Sequence, residues 1–486
     1  MIGQYINENT SDYSYQQYGP NGGPSNRGFR FFADGVGSNF FKFRFIESIG
    51  IDTLNRKIFI PDNHNHRILA FEFGNENQFS SKEAVNVIGQ PDFSTSINDN
   101  IAREDILPNP VASPTSLLTP TSVYFEHSNQ LLFISDAGNH RIMIYDLSSG
   151  IQNGMMASYV IGQENFTNNF INNGYEINNK GLNTPRFVTY LPIYEWLLVS
   201  DSGNNRILIF DLSNGIHNGM EAAYVIGQND FISGLPNQNS DVNQFTLHSP
   251  RSISMTNNGD YIFIADRNNN RVLGYDISNG MQNGIGASIV LGQVDFTSNI
   301  PNQDGGNASP NTLFLPHGIA IENNDESIFI SDTRCSRIMK YDLTNLLNGA
   351  PANISLGFST LSHPTPNPIN ANQSSFNHPT GLLIFENSLI VADVMNNRVL
   401  FHSLDGLEQG QNATSILGQF FEGDISAPNY LQRGQNNGPT SFEFNFSDGI
   451  SGSAVDTTRF RFAVCDALNG RVLIFNLDSN YFLIDN

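Results

Sequence analysis

The chain has 486 residues, 14% of them charged, and its 24 Lys and Arg against 46 Asp and Glu leave a formal charge of −22. Such a field repels phosphate backbones and anionic headgroups, which argues against nucleic acid as a partner, and no apolar run approaches the ~20 residues that cross a bilayer, so no transmembrane segment is expected. The N-terminal MIGQYINENTSDYSYQQ lacks a basic stretch followed by an apolar one, so no signal peptide is read in this chain; the compartment is unknown, with an extracytoplasmic or secreted setting favoured.

One block recurs along the chain: a short apolar strand ending in Asp, a polar turn, Arg five residues after the Asp, and a second apolar strand. The copies are IFIPDNHNHRILAF, LFISDAGNHRIMIY, LLVSDSGNNRILIF, IFIADRNNNRVLGY, IFISDTRCSRIMKY, LIVADVMNNRVLFH and FAVCDALNGRVLIF. Their acids and cations are Asp62 and Arg67, Asp136 and Arg141, Asp201 and Arg206, Asp266 and Arg271, Asp332 and Arg337, Asp393 and Arg398, and Asp466 and Arg471. Segments such as LNTPRFV, LHSPRSI and FLPHGIA precede each copy and read as an opening strand. Segments such as DLSNGIHNGMEAAYVIGQ follow it, placing Asn-Gly turn chemistry before a β-rich run that ends in IGQ. Each unit therefore predicts four antiparallel strands. Helical periodicity appears nowhere at useful length.

Seven units of this kind predict an all-β fold, a seven-bladed β-propeller filling residues 1–486 as a single domain. The expected blades are 41–93, 115–166, 181–231, 246–296, 313–358, 376–421, and 444–477 with 1–6. The last of these encodes a closure. The IGQ-like ends fall at Gln90, Gln163, Gln228, Gln293, Phe358 and Gln419, the seventh unit has none, and Ile2-Gly3-Gln4 supplies the missing copy, so the N-terminal strand is expected to complete the last blade. Cys335 and Cys465 fall in units five and seven, too far apart to bridge, and are expected as two free thiols, Cys465 as a buried small side chain.

The Asp-x-x-x-x-Arg block, with Asn or His before the Arg in most copies and Pro-x-Gly upstream, resembles the NHL repeat over almost the whole chain. The resemblance implies a β-propeller. It implies function less sharply, because NHL-type propellers serve as protein-binding and RNA-binding modules and as enzymes.

Seven copies of one charged pair read as scaffold, the Asp accepting turn N–H groups and the Arg pinning the turn or reaching a neighbouring blade. The residues two after the Pro position, Ser48, Ser122, Phe187, Ser252, Gly318, Gly381 and Gly449, are small in all but one case, as crowded inner strands require. One position earlier the units differ: Glu47, Thr121, Arg186, Arg251, His317, Thr380 and Asp448. A scaffold alone has no reason to vary there, so these residues are the candidate ligand-binding ring at the channel mouth. Their bland alternative is a set of ordinary solvated side chains. His64, His66, His140 and Arg334 belong to turns on the same face, and the His residues read as stand-ins for the Asn common before the Arg. The Asn-rich linkers share one face and are expected to form a canopy suited to a glycan or peptide.

The favoured function is a non-catalytic binding or scaffolding propeller with a protein, peptide or glycan partner. One alternative is a metal-dependent lyase or lactonase-type hydrolase, of the kind seen in enzymes with similar propellers, holding an ion such as Ca²⁺ between Glu47 and Asp448 with His317 as base. The other is a structural surface or filament subunit. No G-x-S-x-G, H-E-x-x-H or P-loop motif is present.

Overall fold

A computed structural model describes residues 112–303 and 306–363 without interruption, most of 48–93 and 371–421, and strands at 424–428, 453–456, 461–466 and 471–476, with side chains up to 414. The fold is all-β. Among the described residues six four-stranded antiparallel sheets follow one another, spanning 50–88, 120–161, 187–226, 253–291, 319–356 and 379–417. In each the strand order is the chain order, so every sheet is a simple meander. A three-stranded sheet over 453–476 comes last. The strand expected at Ile2-Gly3-Gln4 lies outside the described residues. No described helix is long and apolar enough to cross a membrane.

The apolar runs form strands buried on both faces, which is why they read as nearly continuous rather than alternating. In Trp196–Asp201 of the third sheet, Leu197 and Val199 point into a core shared with Phe133, Ile142 and Ile144 of the second sheet. Trp196 and Leu198, on the other face, enter a core with Ile262, Ile264 and Leu273 of the fourth. The same sandwiching joins the first sheet to the second through Phe59, Val123 and Ile134. Phe263 and Ile330 join the fourth to the fifth, and Phe329 and Val391 the fifth to the sixth. Among the described residues the second to fifth sheets thus each share a core with both neighbours.

The opening strands also approach one another. Pro120–Glu126 lies against both Gly50–Asp52 and Phe187–Leu191, and Ile253–Met255 against Ile319–Ile321. Pro379–Phe385 lies against Ile319–Ile321 and Ser453–Asp456, and Ser453–Asp456 lies against Gly50–Asp52. Small residues sit where this crowding is tightest. A Cβ on Gly318 would run into the Thr380 carbonyl oxygen, and the Ser48 hydroxyl lies 2.7 Å from that of Ser122. Phe187, the exception among the small residues, packs against the core between the third and fourth sheets. Gly449 lies outside the described residues.

One segment differs from its expected form. Phe420–Phe421 and Asp424–Pro428, read as the end of a blade and a linker, pair into a short two-stranded sheet, in keeping with the β-forming character of Phe420, Phe421 and Ile425.

Candidate functional site

The repeated Asp and Arg residues build the frame that carries the site. Arg206 Nε donates to Asp201 Oδ2 at 2.8 Å, with both side chains fully buried. The second carboxylate oxygen, Oδ1, accepts the Asn183 N–H, and Oδ2 also accepts from Asn204 Nδ2 at 2.8 Å. The remaining guanidinium nitrogens reach Phe231 O, Asn178 O and Gly181 O. Arg141 with Asp136, Arg271 with Asp266, Arg337 with Asp332 and Arg398 with Asp393 repeat the pairing. Burial pushes the carboxyls of Asp136, Asp201, Asp332 and Asp393 up, while the adjacent guanidinium and N–H donors pull against it. Arg67 reaches Phe93 O; Asp62 pairs with it in backbone register, as Asp466 does with Arg471, but the side chains of Asp62, Asp466 and Arg471 lie outside the described set. The arginines thus clamp backbone carbonyls in the linkers on either side of their own sheet, as well as the carboxylate at the turn.

In the first five sheets the residue before the Arg docks one sheet on the next. Asn205 and Asn270 adopt left-handed φ of 54° and 55°, and their Oδ1 atoms accept the N–H of Ser249 and Leu315 at 2.9 Å. His140 does the same through Nδ1 to Thr184 at 3.0 Å, and His66 to Thr119 at 3.1 Å. Burial lowers the His140 pKa to about 4, which keeps Nδ1 an acceptor. His64 lies outside the described residues.

Within this frame the variable ring is held in one register. Arg186 N–H donates to Ser200 O, Arg251 N–H to Ala265 O and His317 N–H to Ser331 O. A hydroxyl of the preceding sheet donates to the backbone carbonyl of three ring residues: Thr121 Oγ1 to Arg186 O at 3.0 Å, Ser200 Oγ to Arg251 O at 2.8 Å and Ser331 Oγ to Thr380 O at 2.8 Å. Sequence reasoning missed these serines. Ser135, Ser200 and Ser331 all stand just before the repeat Asp, and that recurrence was their signal, although Ala265 and Ala392 occupy the same place in the fourth and sixth sheets.

The structure brings Arg186, Arg251 and His317 together on adjacent sheets and adds Arg267, from the turn Arg267–Asn269. Arg251 and His317 are 7% and 9% exposed, Arg186 and Arg267 half-buried. Burial, then Arg251, Arg267 and Arg186 in turn, hold His317 well below the usual imidazole range, so it stays neutral. Thr121 and Thr380, both buried, flank this cationic centre in the second and sixth sheets. Arg334 donates from Nη1 to His378 Nε2 at 3.1 Å on the same edge. Glu47 and Asp448 lie outside the described residues, and among the described residues no three His, Cys, Asp or Glu side chains converge as metal ligands would.

The described linkers lie against the sheets rather than standing free as a canopy. Asn237 and Asn269 exchange amide hydrogen bonds at 3.0 and 2.7 Å, Asn204 Nδ2 donates to Asn172 Oδ1 at 2.7 Å, and Gln163, Gln228 and Gln293 each donate to a linker carbonyl. Much of their amide chemistry is spent inside the molecule. Cys335 is a free, buried thiol 3.2 Å from Asn302 Oδ1; the Cys465 side chain lies outside the described set.

These observations define an all-β protein of repeated four-stranded antiparallel sheets. No protein-family model matches the chain, and no curated protein matches it.

Proposed function

We propose that residues 1–486 form one closed seven-bladed β-propeller of NHL type, and that it acts as a non-catalytic binding module for a protein, peptide or glycan through the ring around Arg186, Arg251 and His317. Seven successive meanders, the last three-stranded, support the blade count, and the approach of Ser453–Asp456 to Gly50–Asp52 supports closure. In this reading Ile2-Gly3-Gln4 supplies the missing fourth strand and gives the last blade the same four strands as the others, leaving only short, protected edges.

The observation that carries the binding reading is the contrast between frame and ring. Hydrogen bonds hold Thr121, Arg186, Arg251, His317 and Thr380 in repeated backbone positions, yet their side chains differ from sheet to sheet.

The test is a screen of the immobilised full-length chain on glycan and peptide arrays beside Arg186→Gln/Arg251→Gln, with Arg186→Gln alone as the milder variant. A ligand held by the native chain and lost from variants of unchanged melting temperature supports the proposal. No ligand on either array, or equal retention by the variants, overturns it.

A further inference from the structure

The fourth and fifth sheets enclose a cleft of about 440 Å³. Tyr261, Phe263 and Ile289 of the fourth sheet form one wall, Leu346 and Leu347 of the fifth form the other, and Asp325 stands at the edge. Tyr261 opens the strand that ends at Asp266 and leads into the Arg267 turn, so the cleft lies at the opposite end of the strands from the ring.

Two departures from the repeat shape it. The second and third sheets carry Ile144 and Ile209 in their third strands, facing the next sheet. The fourth carries Gly274 there, and a Cβ at that position would run into Phe263 and Ile289. No side chain therefore projects from this wall where those isoleucines stand. In the loop after the third strand, Leu347 precedes the Asn-Gly, where the second, third and fourth sheets have Gln152, His217 and Gln282. It is 74% exposed, an apolar side chain at the mouth in place of a polar one.

Hydrogen bonds fix the walls to each other. Asn348 Oδ1 accepts the Val290 N–H at 3.0 Å and Gly349 N–H donates to Val290 O at 2.9 Å. Asp325 accepts the N–H groups of Asn257 and Asn258 at 2.8 and 3.0 Å. The cleft is thus formed in advance and has the size of small-molecule sites.

Its chemistry is aromatic inside and acidic outside. Tyr261 and Phe263 stack with ring centroids 6.1 Å apart, and aromatic faces attract cations. Asp276 stands opposite Tyr261 in register and Asp260 precedes it. Burial first, then these two carboxylates, raise the Tyr261 phenol. Asp325 accepts from Asn257 and Asn258, Asp260 from Asn258 and Asp276 from Ser278, neutral donors that leave the negative charges in place. Lys340 of the fifth sheet lies over the Phe329 ring, on the face turned to the sixth sheet.

We propose that this cleft binds a small organic ammonium, its aromatic or short alkyl group between Tyr261, Phe263 and Leu347 and its cation toward Asp260, Asp276 and Asp325. The chain's net charge of −22 favours the same sign of ligand. The site is separate from the ring and does not rest on the reading given for it.

The experiment is an NMR titration of the full-length chain with phenethylammonium, and with 2-phenylethanol and 3-phenylpropionate as its neutral and anionic counterparts. The ammonium should bind at one site, more weakly at high salt, and about tenfold more tightly than either counterpart. Leu347→Gln, which places the residue of the second and fourth sheets at an exposed position, should weaken binding about threefold. Tyr261→Ser, which places the residue found there in the fifth sheet as Ser327, removes an aromatic face and should weaken it about tenfold. Arg186→Gln/Arg251→Gln of unchanged melting temperature should bind the ammonium as the native chain does. Four outcomes overturn the proposal: no binding of the ammonium, equal binding of either counterpart, affinity unchanged in both Leu347→Gln and Tyr261→Ser, or loss of binding in the arginine double variant. Should Tyr261→Ser fail to fold, Leu347→Gln alone decides. The array screen of the ring is read independently, so either reading can fail while the other stands.

Discussion

His140 Nδ1 accepts the backbone N–H of Thr184 at 3.0 Å, tying the turn of the second sheet to the segment that opens the third. The bond exists only while the imidazole is neutral. Because the folded pKa is lowered to about 4, the folded state resists a proton that the unfolded chain accepts near pH 6.5. Stability is therefore fully present above about pH 6.5 and declines as pH falls toward 4. His140→Asn places the acceptor used by Asn205 and Asn270 at this turn and should make that decline shallower. Thermal melts of both proteins across this range check it, and parallel pH profiles would refute the assignment.

Arg206→Ala removes the cation from a fully buried pair and strands the Asp201 carboxylate. The expected cost is about 3–5 kcal/mol, read as a lower denaturant midpoint, with ligand binding at the ring unchanged in the protein that remains folded. Unchanged stability would remove the arginines from the scaffold.

Leu198→Ala opens a cavity in the core between the third and fourth sheets, at an expected cost of about 2–5 kcal/mol. A loss below ~1 kcal/mol in equilibrium unfolding would mean that those sheets do not pack as described.

Gly318→Ala tests the crowding of opening strands. The added methyl meets a carbonyl oxygen of the next sheet, which cannot swing aside as a flexible side chain does. The expected destabilisation is about 1–3 kcal/mol. A neutral substitution would show that the fifth and sixth sheets have room to separate.

Burial raises the Cys335 thiol pKa, with the Asp332 carboxylate adding to it. In a Cys465→Ser background the native protein should resist thiol-specific reagents and react fully once denatured. Rapid labelling of the native state would contradict the buried position.

The strands and the Asp and Arg frame were legible because each repeats at nearly constant spacing and each strand is apolar on both faces. Ser200 was not. Its role depends on Arg251, far along the chain and adjacent only after two sheets have stacked, and nothing in the local pattern distinguishes Ser200 from Ala265. The linkers misled for a related reason. Asn172, Asn204, Asn237 and Asn269 look like a solvated polar surface until their partners are known. Arg186, Arg251 and His317 were readable as departures from the repeat, but Arg267 joins them from a turn whose residues vary in every unit.

Each linker between the first six sheets is gripped at both ends by arginines of the two sheets it joins. Arg141 holds Phe166 O and Arg206 holds Asn178 O; Arg271 holds Phe296 O and Arg337 holds Ser309 O. Between the first two sheets the corresponding grips fall at Phe93 and Ser113, a longer stretch of chain spanned by the same device. The stretch from 167 to 177 is also held in its middle, where Phe170 O accepts from Gln163 and Asn172 Oδ1 from Asn204. A foreign peptide inserted there therefore costs more than loop entropy, which by itself grows only slowly with length, because it breaks contacts that seat the linker on the sheets.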